Sequence, residues 1–535
     1  MGSFSSDKMI KTQSPPKIVE IVNTSPAETF LYRHFESLRG NEYPVILLAR
    51  YRIPGYPKSS SIGELIPEDG LIIPGYRHFS LKEIAQSLRY LFLNPKYIFI
   101  AHSFLNYAQL AFFARLKPDL IHFHNGTIAT RMNWIPIALG VPYTLSLRGN
   151  DIQVHPLRST KFKFQLAHAI KNASGIHSVC NQFQELLKEI AVDSVRPVTI
   201  YTTVPIPKQQ SPRIMRRSNS PKFFTSGRLT WQKGYPDLLR AIADLGTGGL
   251  EAHLTIAGSG KDEERLYYWI RKLGLNNRVL LIGKVNQERI QEELRKSDAY
   301  IQASMAEGLS NSMAEALANG CPVFATDVGG TKEIIKDGEN GFLLPALRPE
   351  AWPEKLALVK DPMLLKRISI AGYQTAAHFF SADAHARQFI DFYNIALGVG
   401  IRGKTSVARS EDASYPGSVP YRMVLIKGRW DWRTGADLVL RALSRAVEPE
   451  SLRISIWGDG PQDDELRYLA YYLRFGRANF KIGRYTDELK EAHLCVFLPE
   501  STGGDWIIAR EGFQERIPFG DCDRLTNVLA GYLVR

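Results

Sequence analysis

Short runs of β-branched and apolar residues alternate with longer stretches of helical periodicity along most of this chain. Lys17–Asn23 (KIVEIVN), Val45–Arg50, Tyr97–Ala101, Leu120–His124 and Tyr143–Leu147 read as strands, with Val198–Tyr201 as the last of the group. Ala27–Leu38, Leu81–Leu93 and Thr127–Leu139 carry helical patterns between them. Alternation of this kind predicts a parallel sheet covered by helices. Pro205–Pro221 breaks the pattern with four prolines and a Ser/Asn/Arg-rich composition, and reads as a linker.

A second α/β unit follows. Lys222–Thr225, Ala252–Ala257, Arg278–Leu281, Ala299–Ala303, Pro322–Thr326 and Gly341–Leu344 read as strands, and Tyr235–Asp244, Glu263–Leu273 and Asn286–Ser297 as helices. Ala386–Leu397 is an amphipathic helix that closes the unit. Beyond the Gly/Ser/Pro-rich stretch Gly398–Pro420, the pattern repeats. MVLIKGRWDWRTGADLVLRAL (Met423–Leu443) matches KFFTSGRLTWQKGYPDLLRAI (Lys222–Ile242), and ISIWGDGPQDDELRYL matches LTIAGSGKDEERLYYW. KIGR at Lys481–Arg484 likewise matches LIGK at Leu281–Lys284. The repeat period is about 200 residues, and the second copy ends early. The expected organisation is a tail over 1–16, an N-terminal Rossmann-like domain over 17–205, a linker over 206–221, a second Rossmann-like domain over 222–397, a linker over 398–420 and a partial third domain over 421–535.

Composition narrows the field. The 535 residues are 44% hydrophobic and 23% charged, which excludes disordered, collagen-like and coiled-coil chains. Met1–Pro16 is polar and lacks the apolar core of a signal peptide. Tyr90–Phe104 and Tyr107–Phe113 are interrupted by polar residues and too short to span a bilayer. They read as buried helix and strand, with an interfacial membrane helix as the other reading. The four widely spaced cysteines make neither a disulfide framework nor a zinc site, and point to a reducing cytoplasm. With 67 Lys and Arg against 54 Asp and Glu, the net charge is +13. Residues 1–210 hold 23 Lys and Arg against 14 Asp and Glu, so most of the surplus lies in the first domain. No base-reading or stacking motif accompanies it, so no nucleic-acid partner is expected. Anionic small molecules or an anionic membrane surface remain.

Four motifs gather in the second unit. Ser226-Gly227-Arg228-Leu229 ends a strand and is followed by Lys233-Gly234: a glycine lets backbone approach a ligand, Arg228 can fork across a phosphate, and Lys233 adds a point charge. Ala257-Gly258-Ser259-Gly260 is a Gly-rich strand-to-helix turn. Glu307-Gly308-Leu309-Ser310-Asn311-Ser312-Met313-Ala314-Glu315 passes from a strand end through a turn into a helix. Ser310 or Asn311 is its natural cap, and the helix N-terminus suits a diphosphate. Thr326-Asp327-Val328-Gly329-Gly330 places a second turn beside it.

Taken together, the run EGLSNSMAEALANGCPVFATDVGGTKEIIKDGENGFLL and GRLTWQKG make residues 222–397 resemble the donor-binding half of the retaining glycosyltransferases of family 4 (group 1). The resemblance extends more loosely over 17–397. It implies an α/β GT-B fold of two facing Rossmann-like domains. It implies catalytic roles for Arg228 and Lys233 on the donor diphosphate and for Glu307 on the transferred sugar. Backbone of Gly227, Gly308, Leu309 and Ser310 would lie near the phosphates, Glu315 would hold the ribose, and Gly283 and Lys284 would run along the base. Transfer would proceed with retention by front-face attack, with the leaving phosphate as base, without metal or cofactor and without a carboxylate nucleophile.

The first domain departs from that pattern. His122 and His124 share one face of a strand, a spacing that would suit a metal if a third ligand were present; otherwise His122 packs the strand and His124 faces the cleft. Ser146–Asp151 (SLRGND) resembles the family's His-Gly-x-Asp turn near the acceptor. Arg148 stands where histidine is usual: it can bind an anion but not shuttle protons. Asp151 matches the family's aspartate. The expected acceptor is a sugar, lipid-linked or other hydroxyl compound, anionic or held at the inner face of a membrane, in polysaccharide, lipopolysaccharide or glycolipid assembly. In the third segment Arg429 matches Arg228 and Glu500 matches Glu307, but Thr434 replaces Lys233 and Ile508 stands at the place of Glu315. That domain is expected to be a degenerate donor-like copy serving packing, partner contact or acceptor guidance. A sugar-nucleotide epimerase of similar architecture and a non-catalytic scaffold are the alternative readings.

Overall fold

The computed structural model describes residues 16–52 (apart from 26–28, 42 and 44), 89, 104–190, 196–207, 219–398, 422–448, 451–475, 477–481, 494–498, 506–510, 513–519 and 521–533. The 1–16 tail up to residue 15, most of both linkers, the strand expected at Tyr97–Ala101 and the helix expected at Leu81–Leu93 (Arg89 apart) lie outside them.

Among the described residues the strands form three six-stranded sheets. The first contains β1 (Ile18–Ser25), β2 (Val45–Arg52), β3 (Leu120–Phe123), β4 (Tyr143–Leu147), β5 (Gly175–Ser178) and β6 (Val198–Thr199), in the order β2-β1-β3-β4-β5-β6. The second contains β7 (Lys222–Ser226), β8 (His253–Ala257), β9 (Val279–Leu281), β10 (Ala299–Gln302), β11 (Val323–Thr326) and β12 (Phe342–Leu344), in the order β12-β11-β10-β7-β8-β9. Every pairing in both is parallel. Helices on both faces explain why β3, β4, β10 and β11 are buried at every position instead of alternating. The second sheet has the doubly wound order, whose switch point at β7/β10 opens a crevice at the strand C-termini.

The third sheet holds β13 (Arg422–Lys427), β14 (Leu452–Trp457), β15 (Arg477–Lys481), β16 (Leu494–Phe497), β17 (Trp506–Arg510) and β18 (Phe513–Ile517). Its order is β15-β14-β13-β16-β17-β18. The strands β15-β14-β13-β16 run parallel in the same arrangement as β9-β8-β7-β10. After β16 the chain turns into an antiparallel hairpin, β17 and β18. Ile508, aligned by sequence with the helical Glu315, is therefore a buried residue of strand β17.

Two elements differ from the sequence reading. Thr127–Leu139 forms two helices, Gly126–Met132 and Trp134–Leu139, parted at Asn133. Asn125 caps the first by accepting from Ile128 N, and Pro136, which has no N–H to donate, lies within the second. The helix expected over Ala386–Leu397 to close the second domain spans Ala382–Gly398 and packs on the first: Phe389, Phe392 and Tyr393 join Ile18, Val22 and Phe35 in one cluster. The pattern showed that one face is buried, but not against which sheet. The second and third domains share a continuous core that includes Trp231, Trp269, Trp430 and Trp506. All four cysteines are free. Among the described residues no helix is long and apolar enough to cross a membrane.

Candidate active site

A cleft of about 350 Å³ opens between the first two domains at the C-terminal ends of their strands. Its second-domain wall is built from two loops. The single turn Trp231–Lys233 follows β7 and stops at Gly234, whose φ of 62° suits glycine. A Cβ at Gly234 would fall 1.9 Å from Ala303 O, so only glycine lets this turn seat under the end of β10. Seated there, Lys233 Nζ bonds Glu307 Oε1, which also accepts from Ser304 Oγ at 3.3 Å. Met305 N donates to Gln232 O (2.7 Å), tying the two loops together. Arg228 stands exposed on the same wall.

The helix Asn311–Ala318 presents its N-terminal end to the cleft through Asn311. Ser310 is 2% exposed and accepts from Met313 N (3.3 Å), so its side chain is the helix cap and is not available to a ligand. Gly308 and Leu309 line the cleft. Gly227 lies against the Lys233 stem, and Gly283 with the exposed Lys284 stands at the end of edge strand β9. Gly227, Gly283, Lys284 and Glu315 do not line the main cavity. Glu315 meets Arg33 Nη2 at 2.7 Å and Gln287 Nε2 at 3.2 Å. Arg33 reaches it from helix Thr29–Gly40 of the first domain, and both side chains are nearly buried, at 11% and 13% exposure.

Other contacts hold the domains against each other. Gln153 Nε2 donates to Glu307 O (3.1 Å). Glu333 accepts from Asn181 N and Gln182 N (3.0 Å each) and from Tyr201 Oη (2.9 Å). A Cβ on Gly308 would sit 2.5 Å from Val179 Cγ2 of the opposite domain, so glycine there permits the close approach.

The first-domain wall brings His124, Arg148 and Asp151 together. Arg148 stacks over Phe30 with Cζ 4.1 Å from the ring centroid, and its Nε donates to His124 O (3.3 Å). Asp151 lies in a five-residue π turn, Asn150–Val154, a rare conformation often found at functional sites. Its carboxylate accepts from Arg148 N (3.1 Å) and Thr127 N (3.2 Å). Burial raises its pKa against the pull of those backbone donors and that of Gly126. Asp151 thus braces the turn that carries Arg148.

Behind His124 lies a buried polar network. Glu20 accepts from His124 Nε2 (2.7 Å), His34 Nε2 (3.1 Å) and Tyr393 Oη (2.9 Å). Burial alone would raise Glu20, but His34 and His124 outweigh it and hold the carboxyl well below the usual range. Burial pushes His124 down from 6.5 to about 4 and His385 to about 3. His122 and His177 are also lowered by burial. Their tautomers follow from their partners. His177 Nε2 faces the carbonyl of Ile200 (2.9 Å) and must donate, so Nδ1 accepts from Ser146 Oγ (2.7 Å). Ser146 Oγ in turn accepts from His122 Nε2 (2.9 Å), whose Nδ1 accepts from Thr144 Oγ1 (2.8 Å). His122 is therefore one link in a neutral chain across β3, β4 and β5, which is more than strand packing. Glu20 and His34 supply the companions for His124 that the strand spacing alone did not reveal: the three groups lie within 4.8 Å of one another. Their geometry is that of direct hydrogen bonds.

The depressed histidines set a pH dependence. Between their lowered pKa values and 6.5 the unfolded chain binds more protons than the folded one, so stability falls as pH drops through that window. Each histidine contributes a slope of about 1.4 kcal/mol per pH unit there. Glu20 adds stability above 4.5 that is lost at still lower pH. The melting temperature is expected to be level above about pH 7 and to fall steadily from pH 6.5 to 4. A stability maximum near pH 5 in scanning calorimetry would contradict this.

The site lies in a segment with known relatives. Residues 208–375 match the family model described as glycosyl transferases group 1. An uncharacterized glycosyltransferase of Methanocaldococcus jannaschii is 32% identical over 176 residues, 32% of this chain and 44% of that protein. A lipopolysaccharide core biosynthesis glycosyltransferase of Rhizobium meliloti is 28% identical over 168 residues, 31% of this chain and 48% of that protein. The chain thus spans about half the length of these relatives. Among solved structures, Anabaena HepE in complex with UDP and glucose aligns with a TM-score of 0.51 and 17% identity, over 71% of this chain and 99% of that one. The first two domains have the GT-B fold, and the third sheet is an addition to it.

Proposed function

We propose that this protein is a group 1 glycosyltransferase that moves a sugar from a nucleoside-diphosphate sugar to a hydroxyl acceptor with retention of configuration. The observation that carries this reading is the Lys233–Glu307 pair, flanked by Arg228 and by the N-terminus of helix Asn311–Ala318, on the cleft wall of the segment that matches the family. As the sugar–phosphate bond breaks, charge develops on the leaving diphosphate. Arg228, Lys233 and the N–H groups of Gly308 and Leu309 stabilise it electrostatically. These protein cations do the work a metal would otherwise do. Glu307 orients the sugar, and the departing phosphate oxygen takes the acceptor proton on the front face. Glu315 receives the ribose hydroxyls once Arg33 yields its place. Apposition of the two domains keeps water from the donor.

On the opposite wall, Arg148 stays charged at all working pH values and recognises an anionic group on the acceptor. His124, fixed through Nε2 by Glu20, presents its ring beside it. The basic first domain suits an acidic polysaccharide or an acceptor at an anionic cytoplasmic membrane surface, consistent with relatives named for lipopolysaccharide core assembly. A thermal-shift series with nucleoside-diphosphate sugars tests the donor assignment, since a ligand specific for the folded state raises the melting temperature by mass action. NMR of the product then reads the anomeric configuration: retention supports the mechanism and inversion overturns it.

A further inference from the structure

The third domain meets the second through surfaces built from matching positions. By the sequence correspondence, Trp231 pairs with Trp432, Tyr268 with Tyr468, Arg265 with Glu465 and Arg240 with Arg441. In the structure Trp231 packs on Tyr468 and Tyr268 on Trp432, each with ring centroids 5.3 Å apart. Contacts exchanged in this way mark a two-fold interface, in which residue i touches j′ and j touches i′. On such an axis a position faces its own counterpart: Arg265 Nη1 lies 3.0 Å from Glu465 Oε2. Identical charges there would repel, whereas Arg against Glu attracts and binds two unlike halves.

The interface is not symmetric in what it delivers. Tyr468 Oη donates to Met305 O (2.8 Å), and Arg441, paired with Asp237 at 2.8 Å, places Nη2 3.3 Å from Met305 Sδ. Met305 is two residues before Glu307, and its N–H is bonded to the residue before Lys233. One residue, Met305, therefore links the loops of both proposed catalytic groups, and the third domain grips it.

We propose that the third domain is the fixed second half of a fused pseudo-dimer, and that Tyr468 and Arg441 are positioning residues that hold the Met305–Glu307 loop in register with Lys233. The catalytic consequence rests on the transferase reading, but the grip on the loop does not. Amide hydrogen exchange on the full chain tests the grip. Tyr468→Phe is expected to speed exchange of the Met305–Gly308 amides about fivefold or more, since one net hydrogen bond is lost. Protection elsewhere and the melting temperature should stay near wild type. Arg441→Lys keeps the charge facing Asp237 but loses the fork to Met305, and should act in the same direction. Arg433→Ala, which removes an exposed pair with Glu264 in the same interface, should leave the loop unchanged. In turnover assays Tyr468→Phe should lower kcat with little change in donor KM. Unchanged loop exchange in both variants, or loosening of the whole chain in step with a lower melting temperature, overturns the proposal. A wild-type protein without transferase activity overturns the functional reading and leaves the exchange result to decide the grip.

Discussion

Lys233→Ala is expected to slow glycosyl transfer by about 10²- to 10³-fold, the usual cost of removing one preorganised group that stabilises developing charge. The stability cost should be small. Lys233 and Glu307 are only partly buried, at 20% and 17% exposure, and such pairs in contact with solvent contribute little to folding. The loss should fall on kcat, because the charge on the leaving phosphate grows only as the bond breaks. Glu307→Gln retains shape and tests the same pair from the other side. Near-normal turnover of Lys233→Ala, measured with saturating donor, would remove Lys233 from the mechanism.

Deleting the third domain should have an equally large effect, on folding. A chain ending at Gly398 would expose Trp231 and Trp269, now 7% and 4% exposed, and strip Arg265 of Asp437 and Glu465. Asp237 would likewise lose Arg441. Arg265 and Asp237 would regain water, so the main cost is apolar: each large side chain bared to water forfeits roughly 1.5–3 kcal/mol, and a few of them equal the whole stability of a typical domain. The shortened protein is expected to aggregate or melt far below the full chain. A soluble, fully active truncation, judged by size-exclusion chromatography and turnover, would show that the third domain is an appendage. The pairs Arg265–Glu465 and Asp237–Arg441 link residues about 200 positions apart, which explains why the sequence shows the repeat but not its role.

Local signals in the sequence were enough to place the elements of the second domain up to Leu344, although the helix Pro362–Phe379 beyond them was not among those read. The strand–turn–helix units from Lys222 to Leu344 lie within a few residues of the pattern, because period, caps and turn glycines act over a few neighbours. The same signals put Arg228, Lys233, Glu307 and the capped helix on one wall. Local patterns could not reveal Arg33 at Glu315, the Glu20 network behind His124, or the packing of helix Ala382–Gly398 on the first sheet. Each joins residues far apart in the chain, and an amphipathic face says only that something covers it.

The sequence by itself thus determined the α/β architecture, the second-domain loops with their cations, and the repeated unit, because short-range physics specifies turns, caps and alternation. Only the tertiary structure decided how the two walls of the cleft are held together, which carboxylates already have partners, and that the third domain reaches the Glu307 loop through Tyr468. Those outcomes depend on which surfaces can bury apolar area and satisfy charges together, a property of the assembled chain and not of any window along it.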